Sequence, residues 1–312
     1  MKNSYKILLA TDYSEAVMNA ERYAVQFALN TNSTLTIVHV IDVESGSFLS
    51  NTEDLAASEK YHLKIETNKL EHHRDELLKS LNVKKDELSC DYIIREGKAG
   101  EQICKEAKES DVDFIVMGTH GVTGFRKIFA GTHVWEVIRK SSVPVFAIPK
   151  DGMFTEFKNI LFATEQREGE ISALNYLSSI AKKSNAEITV LHISNYAISK
   201  SLEISMFEKF RTEVQNAIPY KKINLRLANY EDIIQGLNDF CIRSKADLLV
   251  MSPERPSLLE KIFMPVTSVT KEMSFQTHVP LLTIPDYYDP ENSAFWKLFE
   301  LDERYLREEF EE

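Results

Sequence analysis

The sequence predicts an α/β chain made of two tandem, doubly wound domains, each carrying a parallel sheet. Three observations carry this reading. Four apolar segments recur in the same order along the chain. The recurring segments are continuous and β-branched, as strands covered on both faces of a parallel sheet are. Helical stretches separate them, and strands alternating with helices read as βαβ units with right-handed crossovers.

The repeat has a long period. Residues 6–12 (KILLATD) match 159–165 (NILFATE), and 33–41 (STLTIVHVI) match 186–194 (AEITVLHIS), both at an offset of 153. Residues 111–117 (DVDFIVM) match 245–251 (KADLLVM) at 134, and 143–149 (VPVFAIP) match 279–285 (VPLLTIP) at 136. Such spacing marks a duplicated domain and not a solenoid. A length of 312 residues agrees, at roughly 100–200 residues per domain. The expected division is 1–150, 151–285 and an extension over 286–312.

The elements follow in order. After KILLATD, residues Ala16, Ala20, Ala24, Phe27 and Ala28 fall at helical spacing, with Ser14 as the expected cap and Glu15 and Glu21 early in the helix. Residues 53–82 read as one long charged helix, with Leu55, Tyr61, Ile65, Leu70, Leu77 and Leu81 marking its apolar face loosely. His62, His72 and His73 lie on it. Adjacent histidines point about 100° apart on a helix, so His72 and His73 do not share an ion easily. All three are expected to be solvated. After DFIVMG a helix near 132–141 leads into VPVFAIP. The tail 286–312 has no counterpart in the first repeat. It starts with a turn at Asp289-Pro290 and carries Phe295, Trp296, Phe299 and Tyr305, rings expected to pack on their own chain.

Composition narrows the function. The chain has 37 Lys+Arg against 48 Asp+Glu, a net charge of −11, and no basic block. Nucleic-acid backbones and anionic lipid surfaces repel such a chain. Cys90, Cys104 and Cys241 are too far apart for a CxxC site, and an odd three makes no disulfide framework. No run of 18 apolar residues is present, and MKNSYKILLATD lacks a signal-peptide pattern. A cytoplasmic location is expected.

Glycine gives the sharpest signal. The chain has only 10, about half the usual density. Four of them, Gly118, Gly121, Gly124 and Gly131, fall within 14 residues of GTHGVTGFRKIFAGT. Glycines concentrated between a strand and a helix permit close backbone approach to a ligand. Free N–H groups and the helix dipole favour an anion there, and open α/β sheets bind ligands at the carboxyl ends of their strands. Thr132 also suits a helix N-cap. The alternative is a flexible loop.

The pattern G-x2-G-x9-G-[ST], with KILLATDYSE and LTIVHVI before it, resembles the ATP-binding motif of the universal stress protein family. The likeness covers about residues 4–150 strongly and 157–285 more weakly. It implies five strands per domain in the order 3-2-1-4-5, of the adenine-nucleotide alpha-hydrolase-like kind, packed with pseudo-two-fold symmetry. It also implies an ATP-binding stress-response regulator, with Mg²⁺ on the phosphates. By that resemblance Thr11 and Asp12 stand at the ribose or adenine side, and Val40 and Ile41 line the adenine pocket. Gly118 and Gly121 approach the ribose and phosphates, Gly131 and Thr132 hold phosphate oxygens, and His120 and Arg126 meet the polyphosphate.

The second repeat departs from the motif. Gly118 aligns with Ser252, Gly121 with Arg255, and Gly131 with Pro265 or Thr267, while Glu165 replaces Asp12. The stretch SPERPSLLEKIFMPVTS has no glycine, and Pro256 and Pro265 remove two N–H donors. The second half is therefore expected not to bind ATP but to serve as an intramolecular pseudo-dimer partner. A homodimer and a protein partner stay open. No GxSxG elbow, HExxH or P-loop is present. A receiver domain leaves the glycine cluster unexplained, and an ATP pyrophosphatase or adenylyltransferase needs a glycine-rich loop where this chain has DYSEA. Slow ATP hydrolysis and a nucleotide-independent interaction scaffold remain as alternatives.

Overall fold

A computed structural model of the chain describes residues 4–41, 52–84, 86–119, 130–194, 199–253, 269–286 and 288. At 52–60, 130–132, 271 and 274–276 it describes the backbone alone. The first half runs β1 (Lys6–Ala10), α1 (Met18–Asn30), β2 (Thr34–Ile41), α2 (Thr52–Ser80), β3 (Cys90–Glu96), α3 (Ala99–Glu109), β4 (Phe114–Gly118), α4 (Ala130–Lys140) and β5 (Val145–Ile148). The second half runs β6 (Asn159–Ala163), α5 (Gly169–Ser184), β7 (Glu187–Ser194), α6 (Lys200–Ala217), β8 (Ile223–Asn229), α7 (Ile233–Ser244), β9 (Leu248–Met251), α8 (Val269–Gln276) and β10 (Leu281–Thr283).

The ten strands form one sheet in the order β3-β2-β1-β4-β5-β10-β9-β6-β7-β8. Each half has the predicted 3-2-1-4-5 order, and its strands are parallel. The halves meet where β10 runs antiparallel to β5, with Leu282 opposite Phe146. A pseudo-two-fold therefore passes through the join. Each half supplies the strand that covers the other's open edge, so neither β5 nor β10 is left as an aggregation-prone edge.

Strand alternation sends side chains into two cores. Ile7, Leu9, Phe114, Phe146, Ile160 and Phe162 pack beneath α1, α2, α5 and α6. Leu8, Val38, Ile115, Val145, Leu161 and Leu249 pack beneath α3, α4 and α7 on the other face. A repeated aspartate fixes the strand starts. Asp113 accepts from Lys6 N at 2.9 Å, and its counterpart Asp247 accepts from Lys158 N and Asn159 N at 2.7 Å.

Three expectations need correction. Ser14 does not cap α1: the helix starts at Met18, its cap position is Val17, and the Ser14 carbonyl accepts from Val17 N in a preceding turn. Among the described side chains of α2, Leu70, Leu77 and Leu78 are buried, while Tyr61 and Ile65 are exposed. His62 and His72 are solvated as expected, but His73 is not, because it turns inward onto a buried carboxylate. The aromatic tail beyond Tyr288 lies outside the described residues. Tyr288 itself is buried against Tyr176 of α5, with ring centroids 4.7 Å apart.

Candidate functional site

The site of the first half is built where β1 stops short. Its pairing with β2 ends at Ala10 opposite Val38, while β2 continues to Ile41. Thr11 N donates to the Val38 carbonyl at 3.0 Å, so the peptide groups of Val38 face β1. Val40 has the same parity, and its peptide groups face the space beyond the β1 end. Ile41 has the opposite parity, and its carbonyl accepts from Gly97 N at 2.9 Å. Of the two residues assigned to the adenine pocket, Val40 is the one with main-chain groups aimed at the opening.

Asp12 is exposed at the strand end, where its Oδ1 accepts from Ser14 N at 2.9 Å. Its shape is set from beneath by Thr11. The buried Thr11 hydroxyl donates to Glu21 Oε1 at 2.5 Å and accepts from Tyr13 N at 3.1 Å. The Thr11 carbonyl accepts from His39 Nδ1 at 2.8 Å, which places the proton on that nitrogen. Tyr13 takes a left-handed φ of 60°, a costly conformation for a bulky residue. Its ring packs 4.4 Å from the His39 ring, with Lys69 Nζ 4.1 Å from its centroid. Burial together with Glu66 and Glu21 raises the Tyr13 phenol above its ordinary range.

Gly118 closes β4 beside this opening and is buried. A Cβ there would stand 3.1 Å from Val17 Cα and 3.4 Å from the Ala16 carbonyl oxygen. Gly118 therefore lets the approach to α1 lie against β4. Gly118→Ala is expected to cost about 1–2 kcal/mol of stability by overpacking, read from urea unfolding. No loss would show that Val17 shifts freely. Gly131 and Thr132 lie in the first turn of α4. The helix begins at Ala130, so Thr132 is inside it and not its N-cap. Because β4 and β5 are parallel, α4 runs back along the sheet and its N-terminus stands at the carboxyl end of β4. His120, Gly121 and Arg126 lie outside the described residues.

The second half repeats the scaffold and changes its contents. Thr164 donates to Glu170 Oε2 at 2.5 Å, Gln166 N donates to Thr164 Oγ1 at 2.9 Å, and His192 Nδ1 faces the Thr164 carbonyl at 2.8 Å. Gln166 repeats the left-handed φ of Tyr13. Here, however, Arg167 crosses the strand ends. It donates to the Ser252 carbonyl at 2.7 Å and to Glu170 Oε1 at 3.1 Å, ion-pairs with Asp286, and stands 3.5 Å from Glu165 Oε2. Ser252 and Glu165 are the counterparts of Gly118 and Asp12. One guanidinium thus fills the crevice between β6 and β9, ringed by three carboxylates. The signal was present in the sequence, as ATEQREGE against ATDYSEAV, an arginine four residues after the strand end.

Two shallow clefts also lie on the second half. One, of about 350 Å³, sits at the amino ends of β6 and β7, and the other, of about 580 Å³, lies between α5 and α6. Among the described residues no group of His, Cys, Asp and Glu suits a metal ion, and no helix is long and apolar enough to cross a membrane.

Residues 4–149 match the model of the universal stress protein family. Universal stress protein MJ0577 of Methanocaldococcus jannaschii is 29% identical over 154 residues, which are 46% of this chain and 94% of that protein. The crystal structure of a universal stress protein from Archaeoglobus fulgidus covers 91% of this chain and 98% of its own at a TM-score of 0.65 and 19% identity. That likeness shows the fold, over both halves. A second protein of that family and organism, solved in complex with dAMP, covers 42% of this chain and 99% of its own at a TM-score of 0.32 and 12% identity.

Proposed function

We propose, from the premise that residues 4–149 are a universal stress protein domain, that the chain is an adenine-nucleotide-binding regulator holding one ATP in its first half. The observation that carries this is the early end of β1. It leaves the main-chain groups of Val40, the carboxylate of Asp12 and the first turn of α4 around one opening. The donor set fits the ligand. Peptide groups suit an adenine edge, a carboxylate accepts from ribose hydroxyls, and unpaired N–H groups of a helix start suit phosphate. Mg²⁺ on the phosphates would keep mostly water and phosphate ligands.

The second half is the nucleotide-free partner in this reading. Arg167 occupies its crevice, and among the described residues the carboxylates of Glu165, Glu170 and Asp286 surround it, a setting that does not favour a polyphosphate. The working units are 1–150, 151–285 and the acidic extension 286–312. Three free cysteines fit a reducing, cytoplasmic compartment.

Isothermal titration with ATP and Mg²⁺, followed by an assay of released phosphate, tests this. The expected result is one ATP per chain without turnover. Two per chain would overturn the reading of the second half. Absence of binding would leave an interaction scaffold, and steady phosphate release would make the domain a slow ATPase.

A further inference from the structure

Each half buries a carboxylate behind the end of its first strand, and the two are neutralised differently. In each, a threonine at the end of the first strand donates to a glutamate from the following helix: Thr11 to Glu21, and Thr164 to Glu170. Both glutamates are nearly inaccessible, at 2% and 1% exposed. A buried carboxylate needs a cation or a full set of donors. Glu170 has Arg167, a cation at any pH of interest. Glu21 has His73 of α2, whose Nε2 lies 2.8 Å from Oε1. The half with the glycine motif thus carries the titratable partner, and the half without it carries the permanent one.

We propose that His73 is a positioning residue for the first-half site and that it makes nucleotide affinity fall as pH rises. The inference rests on the ATP reading above. The coupling runs through adjoining contacts. His73 holds Glu21, Glu21 orients the Thr11 hydroxyl, and that hydroxyl receives Tyr13 N, so the turn bearing Asp12 is fixed on both sides. The Tyr13 ring meets His73 edge-on at 5.2 Å and His39 at 4.4 Å. Loss of the imidazolium charge leaves Glu21 buried without a cation and loosens α2 from α1 at this turn.

The groups facing His73 raise its pKa on balance. The hydrogen bond that His73 donates to Glu21 of α1 raises its pKa, with Glu76 of α2 adding to it, against desolvation and Lys69 of α2. From the strand-end turn Tyr13 presents a ring whose phenol stays protonated, with Glu66 of α2 near it. From β2, His39 stands behind Tyr13 and spends its Nδ1 proton on the Thr11 carbonyl. From β3, Tyr92 is covered by the neighbouring Arg74. A raised folded-state histidine stabilises fully below its unfolded pKa, and that contribution is lost as pH climbs through the folded value.

The test is ATP titration of the full chain at pH 6, 7 and 8, for wild type and His73→Arg, with Glu21→Gln as a second variant. ATP titrates too, and His73→Arg carries that background. Wild-type affinity is expected to fall about three- to tenfold more than that of His73→Arg between pH 6 and 8, at the weak end of couplings between sites. Glu21→Gln, with no charge to neutralise, is expected to follow the arginine variant. Equal slopes in wild type and His73→Arg would overturn the proposal while leaving the nucleotide reading intact. ATP failing to bind any of the three at every pH would overturn both. Should His73→Arg fail to fold, the comparison of wild type with Glu21→Gln decides in the same way.

Discussion

Replacing Phe27 by alanine is expected to lower the unfolding free energy by about 3–5 kcal/mol. Phe27 is 1% exposed on the buried face of α1. Its ring meets Phe146 at 5.1 Å and Phe114 at 5.6 Å, both edge-on, with Tyr23 at 6.5 Å and Tyr5 at 6.4 Å. Two further neighbours, Phe154 at 5.9 Å and Phe157 at 6.2 Å, belong to the segment joining the halves. That segment is also held by Asn19, whose side chain donates to the carbonyls of Pro149 and Gly152. Truncation would therefore open a cavity bounded by two strands, a helix and the connection, elements that do not collapse together easily. Phe27→Leu keeps much of the volume and is expected to cost less than half as much. Urea unfolding of both variants checks this. A loss below about 1 kcal/mol for alanine would show that the connection moves in to refill the space, and the ring cluster would then not be what joins the halves.

What could be read from the sequence followed burial. The strands β1, β2, β4 and β5 and their partners are covered on both faces, and their unbroken apolar runs gave the repeat. The edge strands β3 and β8 are half exposed, so CDYIIRE and INLRLAN share no such pattern. The edge strand that completes the five of each half came only from the family resemblance. The antiparallel join was hidden for another reason. VPVFAIP reads alike whether its neighbour is parallel or antiparallel, because the pairing is made by peptide groups.

The site was legible where backbone geometry decided it and obscure where a side chain acted at long range. Asp12 and Val40 stand at strand ends that the repeat alone located. His73 lies 52 residues from Glu21, on a helix whose exposed Tyr61 and Ile65 spoil the apolar periodicity, so nothing local marked it as buried. Gly118 looked like a ligand glycine, and its contact with Val17 gives it a packing reason that no pattern in the sequence distinguishes.

Gly131→Val separates these two kinds of glycine. It is expected to weaken ATP binding by about 10²–10³-fold, because a branched side chain in the first turn of α4 stands among the N–H donors offered to phosphate. Charge-assisted hydrogen bonds contribute about 1.5–3 kcal/mol each, and losing two of them accounts for that range. The folded chain is expected to tolerate the change, since valine exceeds glycine in helix propensity by a few tenths of a kcal/mol. Gly118→Ala has the reverse signature, a loss of stability through the Val17 contact. Measuring ATP affinity and urea midpoint on both variants therefore gives two crossed results under the present assignment. Affinity within about threefold of wild type in Gly131→Val would remove the α4 start from the phosphate site. The glycine cluster would then be a matter of chain packing, and the opening beside Asp12 and Val40 would have to accept a ligand without a polyphosphate.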